Sequence, residues 1–240
     1  MLAVTGQNSC FTKKLLQKPW ELTRKISARG HQYGGPKFTK IVPKLVYLHN
    51  PLTYVWTQFQ LARLRLLWDR EFEQDEFCRG TRQSATVMTD CIREQDQLSI
   101  SNFTTPIGYQ QITRDMQLSK NDARLRLVRF RYQDFHRAIP MKVALFKRGE
   151  NKNCFIDMLF VGMRNTKDFE SLQELKLIGK TLNQLENEMK IHPKSDTTRH
   201  RILFAEIYMR FFRNYTPSVP KEWSVSFYKI VSFDVLNFRE

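Results

Sequence analysis

Cysteine is scarce in this sequence, and the four cysteines that it has lie far apart. Cys10, Cys78, Cys91 and Cys154 form no C-x-x-C pair, and no histidine stands near them at the spacing of zinc ligands. The sequence therefore predicts neither a metal site nor a disulfide framework. Unpaired thiols suit a reducing compartment.

Catalytic motifs are also missing. The sequence contains no G-x-S-x-G, no phosphate-binding loop and no G-x-G-x-x-G. Its histidines do not pair with Cys, Asp or Glu at ligand or triad spacing. We therefore expect no cofactor and no enzymatic activity. The five histidines are His31, His49, His136, His192 and His200.

One carboxylate, Asp157, stands in the apolar stretch "CFIDMLFV". Burial there could raise its pKa, as a general base requires. The alternatives are a polar residue on a partly solvated strand and an ion-pair partner for an arginine on the neighbouring strand. We favour these alternatives because one isolated acid is a weak signal of catalysis.

Long hydrophobic runs are absent as well. The most apolar stretch, "IVPKLVYLHNPLTYVW", is interrupted by Pro43, Lys44, His49, Asn50 and Pro51. It falls far short of the roughly 20 uninterrupted apolar residues that a spanning helix needs. The sequence predicts a soluble or peripheral protein.

Acidic residues are nearly missing from the first forty positions, where eight Lys or Arg stand against Glu21 alone. The whole chain has a formal net charge of +15, which favours anionic partners. A basic segment with interspersed Ser and Thr is typical of a mitochondrial transit peptide. We expect residues 1–39 to be a transit peptide and linker, cut between Arg29 and Gly35. The alternative is a basic arm that binds anions.

Enough apolar residues are present, at 41%, for residues 40–240 to form one domain with a sizeable core. Its first predicted helix has Asn50 as N-cap and Pro51 at the first helical position. This helix has an apolar stripe on one face, and its other face bears Arg63 and Arg65, with Arg70 just beyond. We favour packing of that stripe on its own domain over burial in an anionic membrane. The stripe comprises Leu52, Val55, Trp56, Phe59, Ala62, Leu66 and Leu67.

An aromatic-acidic turn, "WDREFEQDEF", leads into a second predicted helix with Asp75 as its cap. We expect the small residues Gly80, Ser84 and Ala85 to let another backbone approach this helix closely. A third, shorter helix is predicted next, with Ser99 or Ser101 as its cap. Its apolar residues are Phe103, Ile107 and Ile112. The buried stripe predicted for the second helix comprises Phe77, Thr81, Ala85, Met88, Cys91 and Ile92.

From residue 121 the apolar period changes from 3.6 to 2, which indicates strands. The first is "ARLRLVRFRYQDF", with a bulge at residues 128–130. A hairpin with the polar turn "KRGENKN" follows, and then come the strands "RHRILFAEIYMRFF" and "WSVSFYKIVSFDVLNF". Residues 168–193 have helical spacing and form either a solvated helix or a partner-binding one. The order predicts the α+β class, with N-terminal helices packed on a curved antiparallel sheet.

The first two helices and the turn between them resemble the start of the Tim-forty-four-like domain family, named after the import-motor anchor of the mitochondrial inner membrane. In that family an amphipathic helix leads into an aromatic-acidic turn, then an "EF" pair, a glycine and small residues on a long helix. The similarity covers about residues 40–236 and includes the closing stretch "RFFRNYTPSVPKEWSVSFYKIVSFDVL". The positions that match the motif are Trp68, Phe72, Phe77, Gly80 and Ala85.

The resemblance implies a cone with an apolar pocket, similar to nuclear-transport-factor-two-like proteins. It implies a non-enzymatic matrix adaptor or chaperone, peripheral on the inner membrane, that binds m-AAA protease subunits. Such proteins protect the precursor of the small regulator of the mitochondrial calcium uniporter from premature degradation and so aid uniporter assembly. An anionic lipid such as cardiolipin is a further expected partner. The surface expected to meet the membrane or a partner comprises Trp56, Phe59, Arg63, Arg65 and Arg70.

Two other functions stay open at this point. A Tim-forty-four-like protein of the mitochondrial large ribosomal subunit would share the fold and would also be basic. The stretch "RLRLVRFRYQDFHR" interleaves Arg with aromatic residues, as RNA-stacking surfaces do, although a strand with a basic solvent side has the same pattern. The second alternative is a pocket enzyme of the cone fold that uses Asp157.

Overall fold

Helices precede strands in the computed structural model, which describes residues 51–118, 128–165, 176, 179–180, 200–217, 219 and 222–238. The helices are α1 (Pro51–Leu67), α2 (Gln74–Glu94), α3 (Gln97–Phe103) and α4 (Pro106–Leu118). A 3-10 turn, Tyr132–Asp134, leads into β1 (Phe135–Arg148), β2 (Asn151–Asn165), β3 (His200–Asn214) and β4 (Ser224–Phe238). The predicted α+β class is confirmed.

Some predicted features lie outside the described residues. These are the transit peptide and linker over residues 1–39, the Asn50 cap and most of the helix over residues 168–193. Within that last range, Lys176, Gly179 and Lys180 are described and are helical.

The strands form an antiparallel sheet in the order β1-β2-β3-β4. The predicted hairpin is confirmed, but its turn is shorter than expected, since the ladder continues to the pair Arg148 and Asn151. Gly149 has φ +60, a backbone conformation that L residues rarely adopt and glycine adopts freely. Register shifts in β1, between Pro140 and Lys142, and in the β3–β4 ladder mark bulges, which bend strands.

The core lies between the helices and one face of the sheet. Strand side chains alternate between two faces, and the inner face carries Ile156, Phe160 and Phe211, all almost fully buried. Phe77 of α2 packs edge-on against Phe211, with ring centroids 5.9 Å apart. The stripe predicted for α2 is confirmed, because all of its members are buried: Phe77, Thr81, Ala85, Met88, Cys91 and Ile92.

The close backbone approach involves a different glycine from the predicted one. Gly80 is exposed, and a Cβ added there would meet no atom within 4 Å, so its predicted role is wrong. At Gly108 of α4, a Cβ would lie 2.6 Å from the carbonyl oxygen of Val225 and 2.9 Å from Cα of Ser226. Gly108 is therefore the residue that lets a helix backbone lie against the sheet. Ala85 is fully buried, as predicted for the stripe of α2.

The helix caps differ from those predicted. The N-cap of α2 is Glu73, which makes no side-chain bond there, and Asp75 lies in the first turn, where its charge favours the positive end of the helix dipole. The cap of α3 is Asp96, whose carboxylate accepts a hydrogen bond from the backbone nitrogen of Ser99 at 3.1 Å. The predicted caps Asp75, Ser99 and Ser101 are therefore wrong.

The predicted third helix is two helices in the structure. Thr104 is extended, with φ -119 and ψ 155, and α4 begins two residues later at Pro106. Proline fits the first helical position and disfavours helical backbone in the residue before it, which explains the break. Of the predicted stripe, Ile112 is buried, whereas Phe103 and Ile107 are exposed.

The strand predicted over residues 123–135 is wrong in its described part. Residues 128–131 form no regular element, and Tyr132–Asp134 form the 3-10 turn. Val128 and Phe130 are nevertheless buried. The Phe130 ring lies so close to Gly162 that a Cβ there would be 3.0 Å from it. The alternation thus reflects an irregular segment packed on β2, because burial at every second residue does not require a strand ladder.

Candidate interaction surfaces

The apolar stripe of α1 points away from the sheet. Leu52, Val55, Trp56 and Phe59 line an open, mostly apolar groove, and each is more than half exposed. The rings of Trp56 and Phe59 are neighbours, with centroids 5.7 Å apart. The favoured prediction, that this stripe packs on its own domain, is wrong. Leu66 and Leu67 are exposed as well.

The opposite face of α1 attaches it to β1, and that face is partly polar. Its buried residues are Thr57, Gln60, Leu61 and Leu64. The Thr57 hydroxyl lies 2.8 Å from the carbonyl oxygen of Thr53, one turn earlier, and 3.1 Å from the carbonyl oxygen of Met141 at the bulge of β1, so its single proton is shared between them. Periodicity indicates an apolar stripe but not its direction, and here the buried face of the helix contains a threonine and a glutamine.

Exposed basic side chains lie in the C-terminal part of α1 and just beyond its end. Arg63 and Arg65 of α1 and Arg70, just beyond it, are all exposed. The helix contains no acidic residue. Exposed tryptophan and phenylalanine beside arginines form a surface suited to the interface of an anionic membrane. The structure therefore brings the predicted surface residues Trp56, Phe59, Arg63 and Arg65 onto one helix, with Arg70 beyond its end.

The aromatic-acidic turn packs against the end of the sheet where β3 ends and β4 begins. Phe72 and Phe77 are buried and both pack against Trp223, with ring centroids 6.5 and 4.7 Å from it. Trp68 meets Tyr215 edge-on at 5.9 Å. The motif residues Trp68, Phe72 and Phe77 thus belong to one aromatic cluster, and the role of the motif is structural, since it packs the turn between α1 and α2 against the sheet.

This cluster also contains a group of hydrogen-bonded polar side chains that the sequence did not predict. Asp69, inside the turn, accepts hydrogen bonds from Arg213 at 3.0 Å and from the Tyr215 hydroxyl at 2.9 Å. The Arg213 guanidinium also lies over the rings of Tyr215 and Trp223. Burial, together with the hydrogen bond to Asp69, raises the pKa of Tyr215 despite the nearby Arg213. The sequence does show Asp69 as an acidic residue among aromatic ones, but it does not show its hydrogen-bond partners, which are more than 140 residues away in the chain.

Asp157 is an ion-pair partner. Its carboxylate accepts two hydrogen bonds from Arg210 on the neighbouring strand, at 2.6 and 3.1 Å. The Asp157 side chain is almost fully buried, whereas that of Arg210 is 42% exposed. The hydrogen bond to Asp157 raises the pKa of the Arg210 guanidinium, and burial raises the pKa of the adjacent Tyr208. Of the two alternatives that we favoured over catalysis, the pairing with an arginine on the neighbouring strand is confirmed.

Burial alone raises the pKa of the Glu206 carboxyl group on β3. Glu206 lies on β3 opposite Val161. Its burial was not predictable, because in the sequence it is a polar residue in an ordinary alternating strand pattern. Among the described residues, no cluster of three His, Cys, Asp or Glu could hold a metal ion. No helix in the described part of the chain is long and apolar enough to cross a membrane.

Comparison with protein-family models and with curated protein sequences found no match to this chain.

Proposed function

We propose that the chain is a Tim-forty-four-like protein and that its helices and four-stranded sheet form the cone of that family. Within the family it resembles m-AAA protease-interacting protein one. On this proposal it is a non-enzymatic adaptor of the mitochondrial matrix, peripheral on the inner membrane, that binds m-AAA protease subunits. It protects the precursor of the small uniporter regulator and so aids uniporter assembly.

One observation carries the proposal, namely the outward-facing apolar groove of α1 with the exposed arginines of the same helix. An apolar helix face normally packs on the core, and here Trp56 is 60% exposed and Phe59 is 57% exposed. Anionic lipid supplies what both parts of this surface require, an apolar layer for the rings and negative headgroups for Arg63 and Arg65. The net charge of +15 acts in the same direction.

Vesicle binding tests the membrane part of the proposal. The full chain should co-float with vesicles that contain cardiolipin and not with neutral phosphatidylcholine vesicles. Arg63→Glu with Arg65→Glu should weaken that binding by at least about tenfold, because each cation near an anionic surface contributes about 1 kcal/mol. The matched control is Arg79→Glu with Arg114→Glu, two exposed arginines on other helices, which changes the net charge equally.

The control decides what the vesicle experiment means. Equal losses in the two double variants would show that only overall charge matters, and α1 would then not be the docking surface. Trp56→Ala should also weaken binding, since it removes the ring that would enter the headgroup layer. Retention of full affinity by Trp56→Ala would contradict the proposed insertion.

A pull-down tests the adaptor part. The tagged full-length protein, recovered from crosslinked mitochondria and analysed by mass spectrometry, should bring down m-AAA protease subunits together with uniporter components. Recovery of large-subunit ribosomal proteins in their place would overturn the adaptor assignment.

A further inference from the structure

A row of aromatic side chains crosses the face of the sheet opposite the core. Phe146 of β1, Phe155 of β2 and Phe212 of β3 stand side by side, with centroid distances of 5.8 Å and 5.0 Å between neighbours. Phe155 and Phe212 are paired in the ladder and share the face of Asp157 and Arg210, because side chains two positions apart on a strand point the same way.

The row is open to contact from outside. Phe146 is 58% exposed, and Phe155 and Phe212 are partly exposed. A strand side chain on the solvent face of an antiparallel sheet is ordinarily polar. The three adjacent phenylalanines therefore form one contiguous apolar patch that is exposed at Phe146, and contiguous exposed apolar patches are a feature of interaction sites.

The charges around the row are mainly positive. Lys142 stands opposite Asp157 in the ladder and is exposed, and Arg148 lies two positions beyond Phe146 at the end of β1. Lys229 of β4 pairs with Tyr208 and is exposed. The carboxylate of Asp157 is already neutralised by its ion pair with Arg210. A second copy of this chain would bring like charges together, whereas a polyanion with apolar faces would match both the rings and the cations.

We propose that this face binds single-stranded nucleic acid. The bases would stack on Phe146, Phe155 and Phe212, and the phosphates would meet Lys142 and Arg148. A four-stranded antiparallel sheet with aromatic side chains on its free face is a known arrangement for stacking two or three unpaired bases. Aromatic rings accept any base, so the proposal implies little sequence preference. It does not depend on the mitochondrial adaptor function, because it uses a different surface.

Fluorescence anisotropy with the full chain tests the proposal. The probe is a labelled oligouridine of about 15 nucleotides, which matches the site sizes of such surfaces. Phe146→Ala should weaken binding at least about fivefold, because losing one stacking ring costs about 1–3 kcal/mol. The matched control is Phe59→Ala, which removes an equally exposed phenylalanine, 57% against 58%, from α1. A duplex RNA of the same length should bind more weakly, since its bases are not available for stacking.

A second variant tests whether misfolding causes the loss of oligonucleotide binding. Phe212→Leu keeps most of the apolar volume of a half-buried residue but removes the ring, so weaker binding with an unchanged unfolding transition supports stacking. Absence of measurable binding at about 50 mM salt would overturn the proposal, since contacts to phosphates are strongest at low salt. Equal affinity for duplex and single strand, or equal losses in Phe146→Ala and Phe59→Ala, would overturn it too.

Discussion

Replacing Gly108 by alanine should destabilise the domain, because the new methyl group would collide with the backbone of β4. The added Cβ would be 2.6 Å from the carbonyl oxygen of Val225 and 2.9 Å from Cα of Ser226, and backbone atoms cannot rotate out of the way. The same Val225 oxygen accepts a hydrogen bond from the backbone nitrogen of Thr105 at 2.9 Å. Any shift that relieves the collision therefore strains the contact that holds α4 on the sheet.

The magnitude follows from two opposing terms. Overpacking at a tight contact costs about 1–3 kcal/mol. Alanine in place of glycine inside a helix gains about 0.5–1 kcal/mol. Gly80→Ala isolates the second term, since Gly80 lies within α2 with no atom within 4 Å of the added Cβ. The free energies of unfolding of the two variants should thus differ by the steric cost alone, about 1–3 kcal/mol.

Urea denaturation followed by far-ultraviolet circular dichroism measures that difference. Gly80→Ala should unfold at a higher urea concentration than the wild type. Gly108→Ala should unfold at a lower urea concentration than Gly80→Ala. In thermal unfolding, each kcal/mol corresponds to about 2–4 °C for a domain of this size. Equal stabilities of the two alanine variants would show that α4 does not approach β4 as closely as described, and the reasoning would fail.

Two further outcomes are expected. Asp157→Asn should lower the free energy of unfolding by about 1.5–3 kcal/mol, because it removes the charge that pairs with Arg210. The double variant with Arg210→Gln should recover part of this loss. An unchanged urea midpoint in Asp157→Asn would refute the pairing. Burial raises the pKa of the Cys154 thiol to about 12 from 9.0, so its contribution to stability is full below about pH 9 and declines as the pH approaches 12. At pH 8, iodoacetamide should therefore modify Cys154 only after unfolding, and peptide mapping that finds it modified as fast in the native protein would contradict its burial.

Helix α2 was predictable from the sequence, whereas the orientation of α1 was not. A stripe such as Phe77, Ala85 and Met88 combines large and small apolar residues on a single side, so only one face can reach the core. The buried side of α1 contains Thr57 and Gln60, and the contact of Thr57 with the Met141 carbonyl depends on a residue 84 positions away. Local periodicity contains no information about such partners.

Contacts between residues far apart in the chain explain the remaining errors. Gly80 and Gly108 both lie in helical patterns, and only the position of β4 distinguishes them. The Phe146 and Phe155 rings could be placed in strands, but their grouping with Phe212 depends on the register across three strands. The pairing of Asp157 with an arginine was one of two alternatives from the sequence, and the identity of that arginine as Arg210 depends on the register of β2 and β3.

The edge of β4 next to α4 is closed to strand addition. Thr105 donates to the Val225 carbonyl, and the side-chain amide of Gln111 bonds both the nitrogen and the carbonyl oxygen of Tyr228 at 3.3 Å. A side-chain amide thus occupies the groups that an incoming peptide would use. A partner that extends a sheet by backbone pairing could not begin at this stretch. Recognition at this stretch of β4 would then depend on side chains.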